Sequence, residues 1–199
     1  MNRKHRVRYN GRINSLEIPP LYQNAQVGDF SPDILKKALN ASFITGAIGC
    51  GKTHLLCAIA QKTVMDSRES PTVFVEYKGD EHGTLTAIYI PAVELIANIQ
   101  LGMSNEKEKT KEDYIRLFCL TRNLYIDDFG VHTGTDWEFS VFARIIDYRY
   151  SHMLKTTIAS NLSFELLANN YSKRIASRLL GMGKILKVKG EDKRVEEHK

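Results

Sequence analysis

The run Gly46-Ala47-Ile48-Gly49-Cys50-Gly51-Lys52-Thr53 constrains this chain more than any other stretch. It fits G-x-x-x-x-G-K-[ST], a pattern whose chemistry requires a strand before it and a helix after it. Both flanks comply. Phe43-Ile44-Thr45 reads as a short buried strand, and Leu55, Leu56, Ile59, Ala60, Thr63 and Val64 recur at helical spacing. Gly46, Gly49 and Gly51 let the backbone curl until several N–H groups face one anion. The helix opening near Lys52 adds its positive dipole end. Lys52 has the reach for the β- and γ-phosphates of a nucleotide, and the Thr53 hydroxyl can ligate magnesium. The bland alternative is a glycine-rich turn that holds no nucleotide, and the strand and helix around the loop disfavour it.

A chain of 199 residues suits one α/β domain with a full core and is short for two. Hydrophobic residues make up 43 % and charged residues 26 %, which excludes the disordered and fibrous classes. No apolar run approaches the roughly 18 residues of a membrane span, and no signal-peptide pattern opens the chain. Cys50, Cys57 and Cys119 form no C-x-x-C pair and leave an odd count, so a reducing cytoplasmic location is expected. No cluster has zinc spacing, and no structural metal is expected. The net charge of +5 is concentrated at one end: Arg3, Lys4, Arg6, Arg8 and Arg12 meet no acid, and the rest balances at 23 basic against 23 acidic residues. Residues 1–14 are therefore read as a basic flexible arm, either a nucleic-acid contact or a solvated tail.

Beyond the arm, Ile18-Pro19-Pro20-Leu21-Tyr22 is extended by its two prolines, with Phe30 following. Ser31-Pro32-Asp33 opens a helix toward Asn40, with serine at the cap. Val73 to Tyr77 and Leu85 to Ile90 are β-rich runs separated by the polar stretch 78–83, which predicts a hairpin or two adjacent strands. A helix is expected from Pro91 through Ile99 and another over Tyr114 to Leu120. The charge run between them reads as a solvated face whose Lys107, Lys109 and Lys111 could flank a DNA path.

Leu124-Tyr125-Ile126-Asp127-Asp128-Phe129-Gly130 is a hydrophobic strand ending in two carboxylates. Downstream of Lys52-Thr53, Asp127 is placed to hold magnesium through its water shell and Asp128 to orient and help deprotonate a water. Many sites of this design carry Glu second, and the shorter Asp128 predicts modest turnover. A helix capped by Asp136 follows, then the strand Thr156 to Ser160 with Asn161 at its exit. Asn161 could bond the γ-phosphate or the water, or simply turn the chain. Arg174 and Arg178 share one face of a helix over Ser172 to Leu180, and Ile185 to Val188 is the last strand.

Taken in order, these pieces resemble the DnaC/IstB group of AAA+ ATPases, which load replicative helicases or assist transposition. The segments carrying the resemblance are Ile18-Pro19 to Phe30, Gly-Cys-Gly-Lys-Thr-His-Leu (49–55), Tyr-Ile-Asp-Asp-Phe-Gly, Ala-Ser-Asn-Leu (159–162), Arg-Ile-Ala-Ser-Arg-Leu (174–179) and Gly-Glu-Asp-Lys-Arg (190–194). The resemblance implies a three-layer α/β P-loop NTPase domain over residues 15–195, its mostly parallel five-stranded sheet built around a central phosphate-loop strand. It implies no helical lid, and residues 196–199 form a charged tail. It makes Asn161 the first sensor, Arg178 an arginine finger for a neighbouring subunit, Arg174 its support, and Arg194 a stand-in for the lid's sensor. Tyr22 would lie near the adenine, and His54 joins Gly46, Gly49, Cys50, Gly51, Lys52 and Thr53 in holding the nucleotide. Two departures stand out: the family's separate domain before the ATPase core is replaced by the basic arm, and Cys50 stands where threonine is usual.

The resemblance implies an ATP- and Mg-dependent switch in DNA replication that oligomerises with itself and binds single-stranded DNA and a hexameric helicase. The alternatives are an IstB-like transposition helper or a helicase-regulating adaptor with a weak ATP site. A small-molecule kinase built on the same loop is disfavoured by the paired acids and the late arginine pair.

Overall fold

The computed structural model describes residues 16, 18–67, 72–77, 80–104, 110–130, 134–170 and 172–190. The basic arm, Lys107, Lys109, Arg194 and the charged tail lie outside the described residues.

Two 3-10 turns, Pro20–Tyr22 and Val27–Asp29, precede helix α1 (Pro32–Leu39), which Ser31 caps by accepting from the Ile34 N–H. Strand β1 (Ala41–Thr45) leads through the glycine-rich loop into α2 (Lys52–Asp66). Strands β2 (Thr72–Tyr77) and β3 (Asp80–Leu85) form a separate antiparallel hairpin. Then come β4 (Ala87–Pro91), α3 (Ala92–Ser104), α4 (Lys111–Leu120) and β5 (Asn123–Asp127). The chain continues with α5 (Asp136–Ser151), β6 (Lys155–Ser160), α6 (Phe164–Asn170), α7 (Lys173–Met182) and β7 (Lys184–Lys187).

The main sheet runs β4-β5-β6-β1-β7, and every pairing in it is parallel. Burial on both faces explains its near-continuous apolar strands. Their alternation sorts the core into two halves. Phe43, Ile88, Ile90, Leu124, Ile126 and Ile158 face α3, α4, α5 and α7, while Ile44, Tyr89, Tyr125, Ala159 and Leu186 face α1, α2 and the N-terminal turns. The result is the expected three layers, a sheet between two coats of helix.

Three expectations need correction. The stretch 78–83 is not a simple connector: most of it belongs to β3, which pairs residue by residue with β2, while Ala87–Pro91 joins the main sheet beside β5. Polar residues do not break a strand whose backbone is fully paired, so the alternation signal alone missed β3. The phosphate-loop strand β1 is interior but not central; β6 takes the middle position. Thr135, not Asp136, caps α5: its hydroxyl accepts from Glu138 N, and Glu138 answers by accepting from Thr135 N at 2.7 Å. Asp136 sits one position inside, in the first turn, where its charge still favours the helix dipole.

Candidate functional site

Because the sheet is all parallel, the loops after β1, β5 and β6 leave from one edge, where open α/β sheets place their ligands. That edge gathers Gly46 to Thr53, Asp127, Asp128 and Asn161. Gly49 and Gly51 have φ of 74° and 93°, a region in which a Cβ is strained. No side chain among the described residues caps α2, so the N–H groups of its first turn are left to the loop. Lys52 is buried, and its ammonium donates to the Gly46 and Ala47 carbonyls at 3.0 and 2.7 Å. The loop rests on the exit of β7: Val188 N donates to Thr45 O at 2.7 Å, and the Cys50 thiol lies 3.8 Å from the Val188 carbonyl. A Cβ on Gly46 would come within 2.4 Å of that carbonyl oxygen, so glycine here is set by close approach.

Opposite the loop, Asp127 is buried at the end of β5. Its Oδ2 accepts the Tyr89 hydroxyl at 2.8 Å, and its Oδ1 accepts Asp128 N at 2.9 Å. Burial raises the Asp127 pKa above the ordinary carboxylate value, against the lowering effect of these donors. Burial also pushes the Tyr89 phenol far up and the nearby Cys57 thiol up to about 12. Tyr89 is therefore a neutral donor, and Asp127 is held at both carboxylate oxygens. Asp128 is exposed and takes a positive φ of 49°, which Asp tolerates better than most residues.

Asn161 is exposed just past β6. The turn that carries it is pinned to both neighbouring strands. Thr45 Oγ1 donates to Leu162 O at 2.6 Å, Phe129 N donates to Ala159 O at 2.9 Å, and Ser160 Oγ donates to Phe129 O at 2.5 Å. Phosphate loop, acid pair and Asn161 are thus locked in mutual register by side-chain and backbone bonds.

The remaining predicted residues lie elsewhere. His54 points away from the loop: its Nε2 is 2.6 Å from Asp29 Oδ2, and its ring meets Phe30 and Tyr22 edge-on at 5.4 and 6.3 Å. Tyr22 packs with it beside α2 and receives a bond from Gln61 Nε2 to its carbonyl at 3.1 Å. His54 and Asp29 together clip the N-terminal turns to the helix that follows the loop. Arg174 and Arg178 are engaged on α5, where both pair with Asp147. Lys111 lies over the Trp137 ring, 5.4 Å from its centroid. Tyr89, Asp147 and Asp29 were missed by sequence reasoning. Tyr89 had one signal, a tyrosine amid aliphatic residues in a strand two positions from its carboxyl end. A cavity of about 890 Å³ opens where α1, α5 and α7 end, and no predicted site residue lines it.

Strand order, glycine loop and the buried carboxylate at the end of β5, separated from the loop strand by β6, together decide the architecture. This is the AAA+ P-loop NTPase fold. No family model matches the chain. It is similar to the replicative helicase loader DnaC of Buchnera aphidicola subsp. Schizaphis graminum, 26 % identical over 140 residues, covering 70 % of this chain and 50 % of that protein. It is also similar to the replicative helicase loader DnaI of Bacillus subtilis, 23 % identical over 165 residues, covering 76 % of this chain and 47 % of that one. The chain thus spans about half the length of the curated relatives it matches. Among solved structures, the DnaC helicase loader aligns with TM-score 0.62 at 20 % identity, covering 86 % of this chain and 100 % of that one. The replication initiator DnaA bound to AMPPCP and single-stranded DNA aligns with TM-score 0.65 at 20 % identity, covering 87 % of this chain and 51 % of that one. The AAA+ fold and the DnaC/DnaI likeness agree with the resemblance read from the motifs.

Proposed function

We propose that this chain binds ATP with magnesium and hydrolyses it as a switch of the helicase-loader kind. The observation that carries the reading is a glycine-strained loop at an uncapped helix N-terminus, opened by Lys52 and Thr53, on the sheet edge that also carries the buried Asp127. The Thr53 hydroxyl and the Asp127 carboxylate are hard-oxygen ligands suited to magnesium, and uncapped N–H groups suit phosphate, so the residues present fit Mg-ATP. Magnesium, when bound, supplies charge neutralisation on the phosphates.

The chain's own residues do the rest. Backbone N–H groups of 49–53 hold the phosphates, and Lys52 exchanges its two carbonyl bonds for phosphate oxygens. Asp127, immobilised by Tyr89 and Asp128 N, orients the Thr53 side of the site. A water oxygen bonds the γ-phosphorus as the bond to the β-phosphate oxygen breaks, giving ADP, inorganic phosphate and one proton. Asp128, exposed at the strand end, aligns that water and accepts its proton, and Asn161 contacts the γ-phosphate. Arg178 of a second copy completes the site. The nucleotide-bound DnaA domain and the helicase-loader relatives support this reading. The same relatives support a role in replication, with a replicative helicase and single-stranded DNA as partners; in this reading the chain also assembles with itself on ATP.

Calorimetry with Mg-ATP tests the core of it. Wild type binds, Lys52→Ala loses binding, and a folded wild type giving no heat ends the proposal. Capture from the host extract then separates the partner readings: a hexameric helicase supports the loader, and a transposase supports the transposition helper instead.

A further inference from the structure

Two guanidinium groups from one helix converge on a single carboxylate of another. Asp147, near the C-terminal end of α5, bonds Arg178 Nε through Oδ1 at 3.1 Å and pairs with Arg174 Nη2 through Oδ2. The Arg178 guanidinium also lies over the Tyr150 ring, 4.8 Å from its centroid. That ring is backed by α7 itself, because a Cβ on Gly181 would come within 2.6 Å of it. Arg178 is thus gripped by its inner N–H and by one face. Its two Nη groups, the edge that matches a phosphate bidentately, make no hydrogen bond among the described residues. Arg174 is held the other way round, by a terminal nitrogen, and its side chain is 66 % exposed against 36 % for Arg178.

A staple between α5 and α7 is the ordinary explanation, and it accounts for little. Ile145 and Ile146 already share a buried core with Ile175, Ala176 and Leu179, and ion pairs this exposed contribute little to stability. Nor does a staple explain which nitrogens are engaged. One carboxylate between two guanidinium groups leaves a net positive charge on this face, with a planar donor edge turned outward.

We propose that Asp147 and Tyr150 are the positioning residues that hold Arg178 ready for a phosphate carried by a second copy of this chain. This rests on the reading of Arg178 as a finger. A long, flexible side chain is ordered before the partner arrives, so docking loses less rotamer freedom and the Nη edge meets the anion already aimed. Arg174 shares the Asp147 carboxylate and keeps it oriented.

A mixed-subunit assay isolates the effect. Arg178→Ala chains keep an intact phosphate loop but give no finger; Lys52→Ala chains give a finger but cannot use ATP themselves. Mixed with single-stranded DNA and Mg-ATP, the two restore hydrolysis. Donors carrying Asp147→Asn with Lys52→Ala should restore it about tenfold less well. Donors carrying Tyr150→Leu should lose several-fold, and Tyr150→Phe, which keeps the ring, should match the plain donor. Mg-ATP affinity of the acceptor chains stays constant throughout, and thermal midpoints of the donors confirm folding. If Lys52→Ala donors restore nothing, or donors lacking Arg178 restore as much as those that have it, the finger reading itself fails. If Arg178 is needed but folded Asp147→Asn and Tyr150→Leu donors both work fully, the positioning role is overturned. Should Asp147→Asn not fold, the Tyr150 pair decides alone.

Discussion

The Tyr89 hydroxyl donates to Asp127 Oδ2 across 2.8 Å, from a strand that lies immediately beside the one ending in the acid. Pro91 pairs with Asp127 in the parallel register, so Tyr89 sits two residues behind it on the α2 face of the sheet. In this buried setting the phenol stays neutral and serves only as a donor. Removing it leaves Oδ2 desolvated with one donor fewer, which favours the protonated acid and frees the carboxylate to rotate. A hydrogen bond to a charged acceptor is worth about 1.5–3 kcal/mol. Tyr89→Phe should therefore weaken magnesium-dependent nucleotide binding about tenfold. Titrations of ATP with magnesium and with EDTA check this: the magnesium-dependent increment shrinks while binding in EDTA is unchanged. An unchanged increment removes Tyr89 from the site.

Asp127 also makes a prediction about pH. Burial holds its pKa above the unfolded value of 3.8. The folded state thus binds more protons than the unfolded state between that value and the raised pKa. Its contribution to stability is most favourable near the bottom of this window and falls as pH rises through it, with the full cost of the buried charge present above. Asp127→Asn removes the titration. The thermal midpoint of the nucleotide-free wild type, relative to Asp127→Asn, should be highest near the acidic limit, decline as pH rises and then level off. A difference that rises with pH contradicts the assignment.

Close packing under the phosphate loop is tested at Gly46. A methyl group there meets the Val188 carbonyl oxygen at 2.4 Å and the Cys50 sulfur at 2.8 Å. The sulfur can turn aside, but the carbonyl belongs to backbone tied back by Val188 N to Thr45 O. Gly46→Ala should cost about 1–3 kcal/mol, the usual range for overpacking, and weaken nucleotide binding by lifting the loop off β7. Gly28→Ala is the control, since nothing lies within 4 Å of its added methyl. Equal unfolding midpoints for the two variants would remove the packing argument.

What the sequence disclosed was the chemistry that recurs at fixed local spacing. Gly46 to Thr53, the strand ending at Asp127 and the exit at Asn161 each carry a short pattern, and a parallel sheet necessarily brings strand ends to one edge. What it withheld depends on register or distance. Tyr89 looked like any strand aromatic until β4 was paired with β5. Asp147 sits between Ile146 and Tyr148 on a helix, and its arginine partners lie 27 and 31 positions away. His54 carried a motif position, yet a second residue, Asp29, draws it to the N-terminal turns. Side chains whose partners come from other elements leave no local trace.

Arg149 is the strongest case of that kind, and its loss should be the most damaging single change. Its side chain is fully buried and finds no carboxylate among the described residues. Instead Nε donates to Thr156 Oγ1 at 2.7 Å, Nη1 to the carbonyls of Phe118, Cys119 and Thr121 at 2.9, 3.2 and 2.5 Å, and Nη2 to those of Arg122 and Lys155 at 3.5 and 2.6 Å. Several of these are the last carbonyls of α4, where orphan acceptors and the negative dipole end favour a cation. Burial lowers its pKa to about 9, which keeps it charged at neutral pH. One guanidinium thus ties the end of α4, the start of β5 and the start of β6 together, and β5 is the strand that delivers Asp127. Methionine fills much of the volume but leaves these carbonyls buried without donors, each costing about 1–3 kcal/mol where water cannot reach. Lysine retains the charge but has a single nitrogen to place. Arg149→Met should lose at least about 3 kcal/mol, and Arg149→Lys should fall between it and wild type. Urea unfolding measures both, and an Arg149→Met midpoint equal to that of wild type would show that water or a local shift satisfies the carbonyls without it.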